Sequence, residues 1–206
     1  MYQQLILQEL KKHFSEARSD LYYDSPWQLF AAVILSAQCT DKRVNIVTDT
    51  LFKMYPTVRD YLTLDYGSLE TIIASTGFYR NKARHIIDAA HIIVDTFNGE
   101  VPLTMKELLS LPGIGRKSAN VIMTVYAEPE GIVVDTHVIR IAERLLLSKS
   151  KDPGIIEHDL VNYFDRKDWP YINQALVLFG RYICKARNPE CDNCSLQRMC
   201  KLHGAV

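Results

Sequence analysis

The stretch from Thr104 to Leu145 constrains the fold more than any other part of the chain. Leu108, Leu109 and Leu111 mark the apolar side of a short helix, which Pro112-Gly113-Ile114-Gly115 brings to an end. Proline breaks the helical ladder, and Gly113 and Gly115 permit a tight, left-handed hairpin. A second helix begins near Arg116. Its Ala119, Ile122, Met123 and Tyr126 fall on one face, and Val121 and Val125 add a second. That is the pattern of a helix buried nearly all round. Glycine-rich backbone at a helix N-terminus points N–H groups outward and suits an anion such as a phosphate. Lys117 stands at that same terminus. Further on, Asp135 precedes a third helix with Val138, Ile141, Ala142 and Leu145 on one face.

Each of these parts has a plainer reading. The hairpin serves equally as an ordinary helix–helix turn, Lys117 as a surface lysine and Asp135 as an N-cap. The surrounding sequence is helical in pattern. Residues 2 to 14 form an amphipathic helix with Tyr2, Leu5, Ile6, Leu10 and Phe14 on one side. Ser25-Pro26 is a cap followed by proline at the first helical position, and Trp27 to Ala37 is apolar and central. The run from Ser36 to Asp41 interrupts that pattern and restarts a helix through Val44, Val47, Leu51 and Met54. Short helices occupy 57 to 63 and 67 to 74, Thr76 to Tyr79 is a turn, and a helix from Asn81 to Phe97 stops at Asn98-Gly99. Ala127 to Gly131 is a linker, and Gly131-Ile-Val-Val alone has strand character. Helices over 153 to 165 and 169 to 183 complete an all-α class.

Composition adds limits. A chain of 206 residues makes one or two domains with a substantial core. No export signal or membrane-length apolar run is present, so the expectation is a soluble cytoplasmic protein. Lys plus Arg equals Asp plus Glu at 24 each, which weighs against a strongly basic nucleic-acid domain but not against a local basic face. Cys184, Cys191, Cys194 and Cys200 give the spacing C-x6-C-x2-C-x5-C. In a reducing compartment this favours metal over disulfides. Spacing alone leaves zinc and an iron–sulfur cluster open, and it differs from the ferredoxin run, so an electron carrier is not indicated. Cys39 stands apart as a buried free thiol. Arg181, Lys185, Arg187, Arg198 and Lys201, set against Glu190 and Asp192, make either a solvated loop or a phosphate-contacting patch.

Leu111 to Lys117 reads Leu-Pro-Gly-Ile-Gly-Arg-Lys, and Val134 to His137 reads Val-Asp-Thr-His. With the apolar helix between them and the cysteine spacing, they closely resemble the endonuclease III family of DNA glycosylases, over nearly the whole chain. The resemblance implies a two-domain helix-hairpin-helix glycosylase fold with a C-terminal iron–sulfur loop. A helical barrel domain over 20–128 would carry the hairpin. A cluster domain would combine 1–19 with 129–206, with the active site in the cleft between the two. A structural 4Fe–4S cluster on Cys184, Cys191, Cys194 and Cys200 is implied, with no open coordination position for a substrate.

The resemblance also assigns roles. Lys117 would be the nucleophile, activated by desolvation and the helix dipole so that its amine attacks a sugar carbon and forms a Schiff base. Asp135 would stabilise positive charge on the sugar or help proton transfer, with His137 as a supporting or purely structural group. Gly113, Gly115, Arg116, Lys185 and Arg187 would touch the DNA backbone. Gln38 and Phe78 would fill the gap left by an extruded nucleotide. Phe78 and Thr76 replace the common leucine and isoleucine, and Asn188 replaces a residue that is often basic. The reading is a bifunctional glycosylase and abasic-site lyase of base excision repair. It excises oxidised pyrimidines from duplex DNA and cleaves 3′ to the abasic site by β-elimination, as a monomer, nucleoid-associated and of prokaryotic type. Competing readings are a mismatch-specific thymine or uracil glycosylase and a non-catalytic DNA-binding module. An adenine glycosylase is disfavoured by the presence of Lys117.

Overall fold

The computed structural model describes residues 2–204. The chain divides into two compact units: a central one from Ser19 to Ala127, and a terminal one built from the chain on either side of it. Among the described residues every regular element is a helix. The terminal unit holds α1 (Tyr2–His13), α8 (Thr136–Arg144), α9 (Pro153–Tyr163) and α10 (Trp169–Tyr182). The central unit holds α2 (Pro26–Ser36), α3 (Asp41–Met54), α4 (Tyr66–Ile73), α5 (Tyr79–Phe97), α6 (Met105–Leu108) and α7 (Arg116–Tyr126).

Local chemistry starts these helices. Ser25 accepts from the Gln28 N–H, Thr40 from Arg43, Asp65 from Ser68 and Thr104 from Glu107, each satisfying a donor that the first helical turn leaves open. At the other end of α5, Asn98 takes a left-handed conformation (φ 54°) and the Gly99 N–H closes back onto the Ile93 carbonyl. The core of the central unit forms around α2, whose residues from Trp27 to Leu35 are all buried. The terminal unit has a separate core, where Ile6, Leu7 and Leu10 of α1 join Ile141, Leu160, Ile172, Leu176 and Phe179.

Several expectations need correction. α7 is amphipathic rather than buried all round. Ala119, Ile122 and Met123 are buried, Val121, Val125 and Tyr126 only partly, and Arg116 and Lys117 are exposed. α6 ends at Leu108. Leu109 lies beyond it, 45% exposed, while Leu111 is buried in the turn. Tyr2 is exposed and Leu7 faces the core in its place. Cys39 is half-buried. Among the described residues, no strand pairs with Gly131 to Val134. The backbone there is satisfied instead by Asn173 of α10, whose amide accepts from the Val133 N–H (2.7 Å) and donates to the Gly131 carbonyl (3.1 Å).

Candidate functional site

The hairpin between α6 and α7 assigns different work to its two glycines. Gly113 has φ 81°, and a Cβ there would lie 2.9 Å from His85 Cβ and Nδ1, so both backbone and packing require glycine. Gly115 does not adopt the expected left-handed form. Its φ of −105° and ψ of 176° suit any residue, and a Cβ there would meet nothing within 4 Å. Gly115 is the N-cap of α7 and offers no side-chain cap. Arg116 and Lys117 follow in the first turn, both exposed. The expected desolvation of Lys117 is therefore not supplied by the central unit.

Asp135 opens α8 in the terminal unit. Its Oδ1 accepts from the His137 N–H (2.8 Å) and the Val138 N–H (2.9 Å), so the capping role is real. Both bonds fall on one oxygen, which leaves the other for a second task. His137 is half-buried. Its Nδ1 lies 3.2 Å from Arg140 Nη2, and its Cβ packs so closely on Gly180 that a methyl group there would sit 2.7 Å away. This close approach of α8 to α10 favours the structural role for His137.

Gln38 and Phe78 occupy two turns of the central unit, and both take left-handed backbone at φ 54° and 49°. Such a conformation is costly for a bulky residue, and strain of this kind collects at functional sites. Both side chains are exposed, Phe78 by 64%. A large aromatic held strained into solvent contributes nothing to the core.

The four C-terminal cysteines line one cavity with Leu145, Phe179, Ile183, Pro189 and Leu196. Burial pushes the Cys194 thiol up to about 11, with the Leu196 N–H acting in the opposite direction, and burial raises Cys191 too. Arg144 donates to Cys184 Sγ (3.2 Å) and to the Lys185 carbonyl (2.8 Å), tying α8 to the loop. Of the expected backbone contacts on this loop, Arg187 is exposed, whereas Lys185 is paired with Glu190 at 2.9 Å. Asn188 has φ 50°, a conformation that asparagine tolerates better than a basic side chain. That accounts for its place in the loop.

Residues 31–166 match the model of the HhH-GPD superfamily of base excision DNA repair proteins, and residues 184–200 match the iron–sulfur binding domain of endonuclease III. Endonuclease III of Synechocystis sp. is 46% identical, over 95% of this chain and 90% of its own length. The chain belongs to the endonuclease III family. Two solved structures agree. A non-covalent endonuclease III–DNA complex matches with a TM-score of 0.90 and 40% identity, over 96% of this chain and 93% of that one. A trapped covalent endonuclease III–DNA intermediate, an estranged-adenine complex, matches at 0.89 and 42%, over 97% and 95%. As a member of the endonuclease III family the protein is a base-excision DNA glycosylase and lyase that carries a 4Fe–4S cluster.

The loop of this chain fits that cluster. Cys184, Cys191, Cys194 and Cys200 all line one cavity, and four thiols are the donor set that such a cluster takes. Iron would take the place of the thiol protons, which burial favours at Cys191 and Cys194. Three supporting residues belong to no motif: Lys82, Asn173 and Arg144. Lys82 left one trace, as a cation in register with Ile86, Ala89 and Ile93 on the apolar face of α5. Asn173 and Arg144 act across about forty residues of sequence and leave none.

Proposed function

We propose that Lys117 is the nucleophile of the glycosylase and lyase steps, that Asp135 supplies the negative charge these steps need, and that the substrates are oxidised pyrimidines in duplex DNA. The observation that carries this is the start of α7. An uncapped helix N-terminus, preceded by a glycine with open space where its side chain would be, presents an exposed amine in its first turn. A DNA phosphate drawn to that terminus brings the adjoining sugar to Lys117. The unprotonated amine attacks C1′, and the base leaves with the electron pair of the glycosidic bond and takes up a proton. Ring opening gives the imine. Loss of a C2′ proton then breaks the C3′–O3′ bond, and water hydrolyses the imine to free Lys117. Lys117 is exposed in the free enzyme, so bound DNA supplies its shielding from water. Asp135 stabilises cationic character on the sugar through the oxygen its cap leaves open. Gln38 and Phe78, strained and exposed, fill the space left by the extruded nucleotide.

Borohydride trapping on duplexes carrying an oxidised pyrimidine, a mismatched thymine, uracil or an abasic site tests this reading. The wild type should trap on the oxidised pyrimidine and the abasic site. Lys117→Gln should give no trapped complex while still binding the duplex, since phosphate contacts dominate affinity. Asp135→Asn keeps an oxygen for the cap, so α8 should persist while turnover falls about a thousandfold, in the range seen when charge stabilisation is lost. Trapping by Lys117→Gln at the wild-type level would remove Lys117 from its role. Near-normal turnover in Asp135→Asn would reduce Asp135 to a cap.

A further inference from the structure

α5 carries one ammonium group on its buried face. Lys82 is 4% exposed. Its Nζ donates to the Leu35 carbonyl at 2.8 Å and to the Thr76 carbonyl at 2.8 Å. A cation in such a place is costly unless it is hydrogen-bonded. Burial lowers its pKa, and the proximity of Cys39 opposes that. An aliphatic side chain would fill the same volume without this cost, so the value of the ammonium lies in its two bonds.

Both acceptors are carbonyls that the backbone leaves over. Leu35 lies in the last turn of α2. There the Cys39 N–H, its partner in a continued helix, bonds the Ser36 carbonyl instead (3.1 Å), because the chain turns at Gln38. Thr76 ends a short 3₁₀ turn (Ala74–Thr76) immediately before Gly77 and Phe78, where two successive positive φ angles break the helical path. The Lys82 backbone N–H donates to the Phe78 carbonyl at 3.2 Å. One residue thus grips the Phe78 turn twice and the approach to Gln38 once. Because both oxygens contact one nitrogen, the two turns are held as neighbours.

We propose that Lys82 is a positioning residue for nucleotide extrusion, whose ammonium ties the Gln38 turn to the Phe78 turn so that the two side chains enter the duplex as one unit. This rests on the gap-filling reading of Gln38 and Phe78 given above. Lys82 touches neither DNA nor the reacting atoms. Its effect is confined to substrates in which a gap must be filled. A purely structural lysine would alter all substrates alike.

The test compares trapping rates on an abasic site in duplex DNA and on the same strand alone. Lys82→Met keeps the length and removes the donors. Its duplex rate should fall about tenfold or more relative to its single-strand rate, comparable to losing a stacked contact. Lys82→Arg, which retains several donors and the charge, should restore most of that ratio. Lys82→Gln, with one shorter donor arm, provides the same comparison if Lys82→Met does not fold. Amide exchange should quicken at 36–40 and 76–79 and stay unchanged in α7. A wild-type duplex-to-single-strand ratio in Lys82→Met or Lys82→Gln overturns the proposal, as does a ratio that Lys82→Arg fails to improve. Gln38→Ala and Phe78→Ala run alongside. If these also keep the wild-type ratio, the gap-filling reading has failed. If they lose it while the Lys82 variants do not, only the role of Lys82 has failed.

Discussion

Replacing Gly113 and Gly115 in turn by alanine separates what the hairpin needs in order to fold from what it needs in order to bind. At Gly113 the left-handed backbone costs about 1–2 kcal/mol for an L-residue. The added methyl would also lie 2.9 Å from His85 Cβ, an atom fixed to the α5 backbone, so neighbouring helices must shift, at about 1–3 kcal/mol. The total, about 2–5 kcal/mol, corresponds to a melting temperature lower by about 4–20 °C for a protein of this size. At Gly115 neither term exists, since φ is −105° and no atom lies within 4 Å of the added carbon. Alanine is a poorer N-cap than glycine by about 0.5–1 kcal/mol, and its stiffer unfolded chain returns about 0.4–1 kcal/mol. The melting temperature should therefore stay within about 2 °C of wild type. Affinity for a duplex with an abasic-site analogue, read by fluorescence anisotropy, should nevertheless fall about tenfold in Gly115→Ala, because the methyl occupies the face where a phosphate approaches the N–H groups. Wild-type affinity in Gly115→Ala would refute this division of labour, and so would a melting temperature as low as that of Gly113→Ala.

Other outcomes follow from the same structure. Phe78→Ala and Gln38→Ala should slow excision from duplex by about five- to a hundredfold, the worth of a stacked contact, with melting temperatures no lower than wild type because both side chains are exposed. Simple unfolding of either variant would count against the gap-filling role. Purified protein should be brown and contain iron, and Cys194→Ser should lose absorbance and solubility together. Stoichiometric zinc after anaerobic purification would contradict the cluster. Asn173→Ala leaves the Val133 N–H and the Gly131 carbonyl buried without their partner, so denaturant unfolding should register a loss of about 1–3 kcal/mol, whereas Asn173→Asp, which keeps only the acceptor, should retain part of it.

The sequence displays most of what is local. Capping residues such as Ser25, Thr40 and Asp65 mark helix starts because their side chains act on backbone two or three residues away. The hairpin, the Asp135 cap and the cysteine spacing are equally short-range. What stayed hidden depends on distant residues. Gly131 to Val134 has the composition of a strand, but with no strand beside it Asn173 supplies the hydrogen bonds. Glycine at position 115 has the same one-letter signature as at 113, although only His85 and a positive φ at Gly113 distinguish them. The left-handed backbone at Gln38 and Phe78 had no signal either, because neither residue type favours it. Lys82 appears as an irregularity in an apolar stripe, yet only tertiary contact identifies the two carbonyls it holds.

The interleaving of the two units also orders events during synthesis. The central unit is continuous from Ser19 to Ala127 and can fold as soon as α7 has left the ribosome, since domains fold as units and N-terminal ones first. α1 is made earlier but has no partner at that stage. Its neighbours emerge only after α7: the Phe14 carbonyl, just past α1, accepts from the Tyr171 hydroxyl at 2.8 Å, and Glu9 accepts from Ser195 across a sequence separation of 186 residues. An amphipathic helix carrying Ile6, Leu7 and Leu10 therefore waits until α8, α9 and α10 have been made. During that interval the nascent chain presents an adhesive segment that chaperones or other nascent chains can capture. A rare-codon pause placed after α7 would lengthen that exposure without changing a single residue of the finished enzyme.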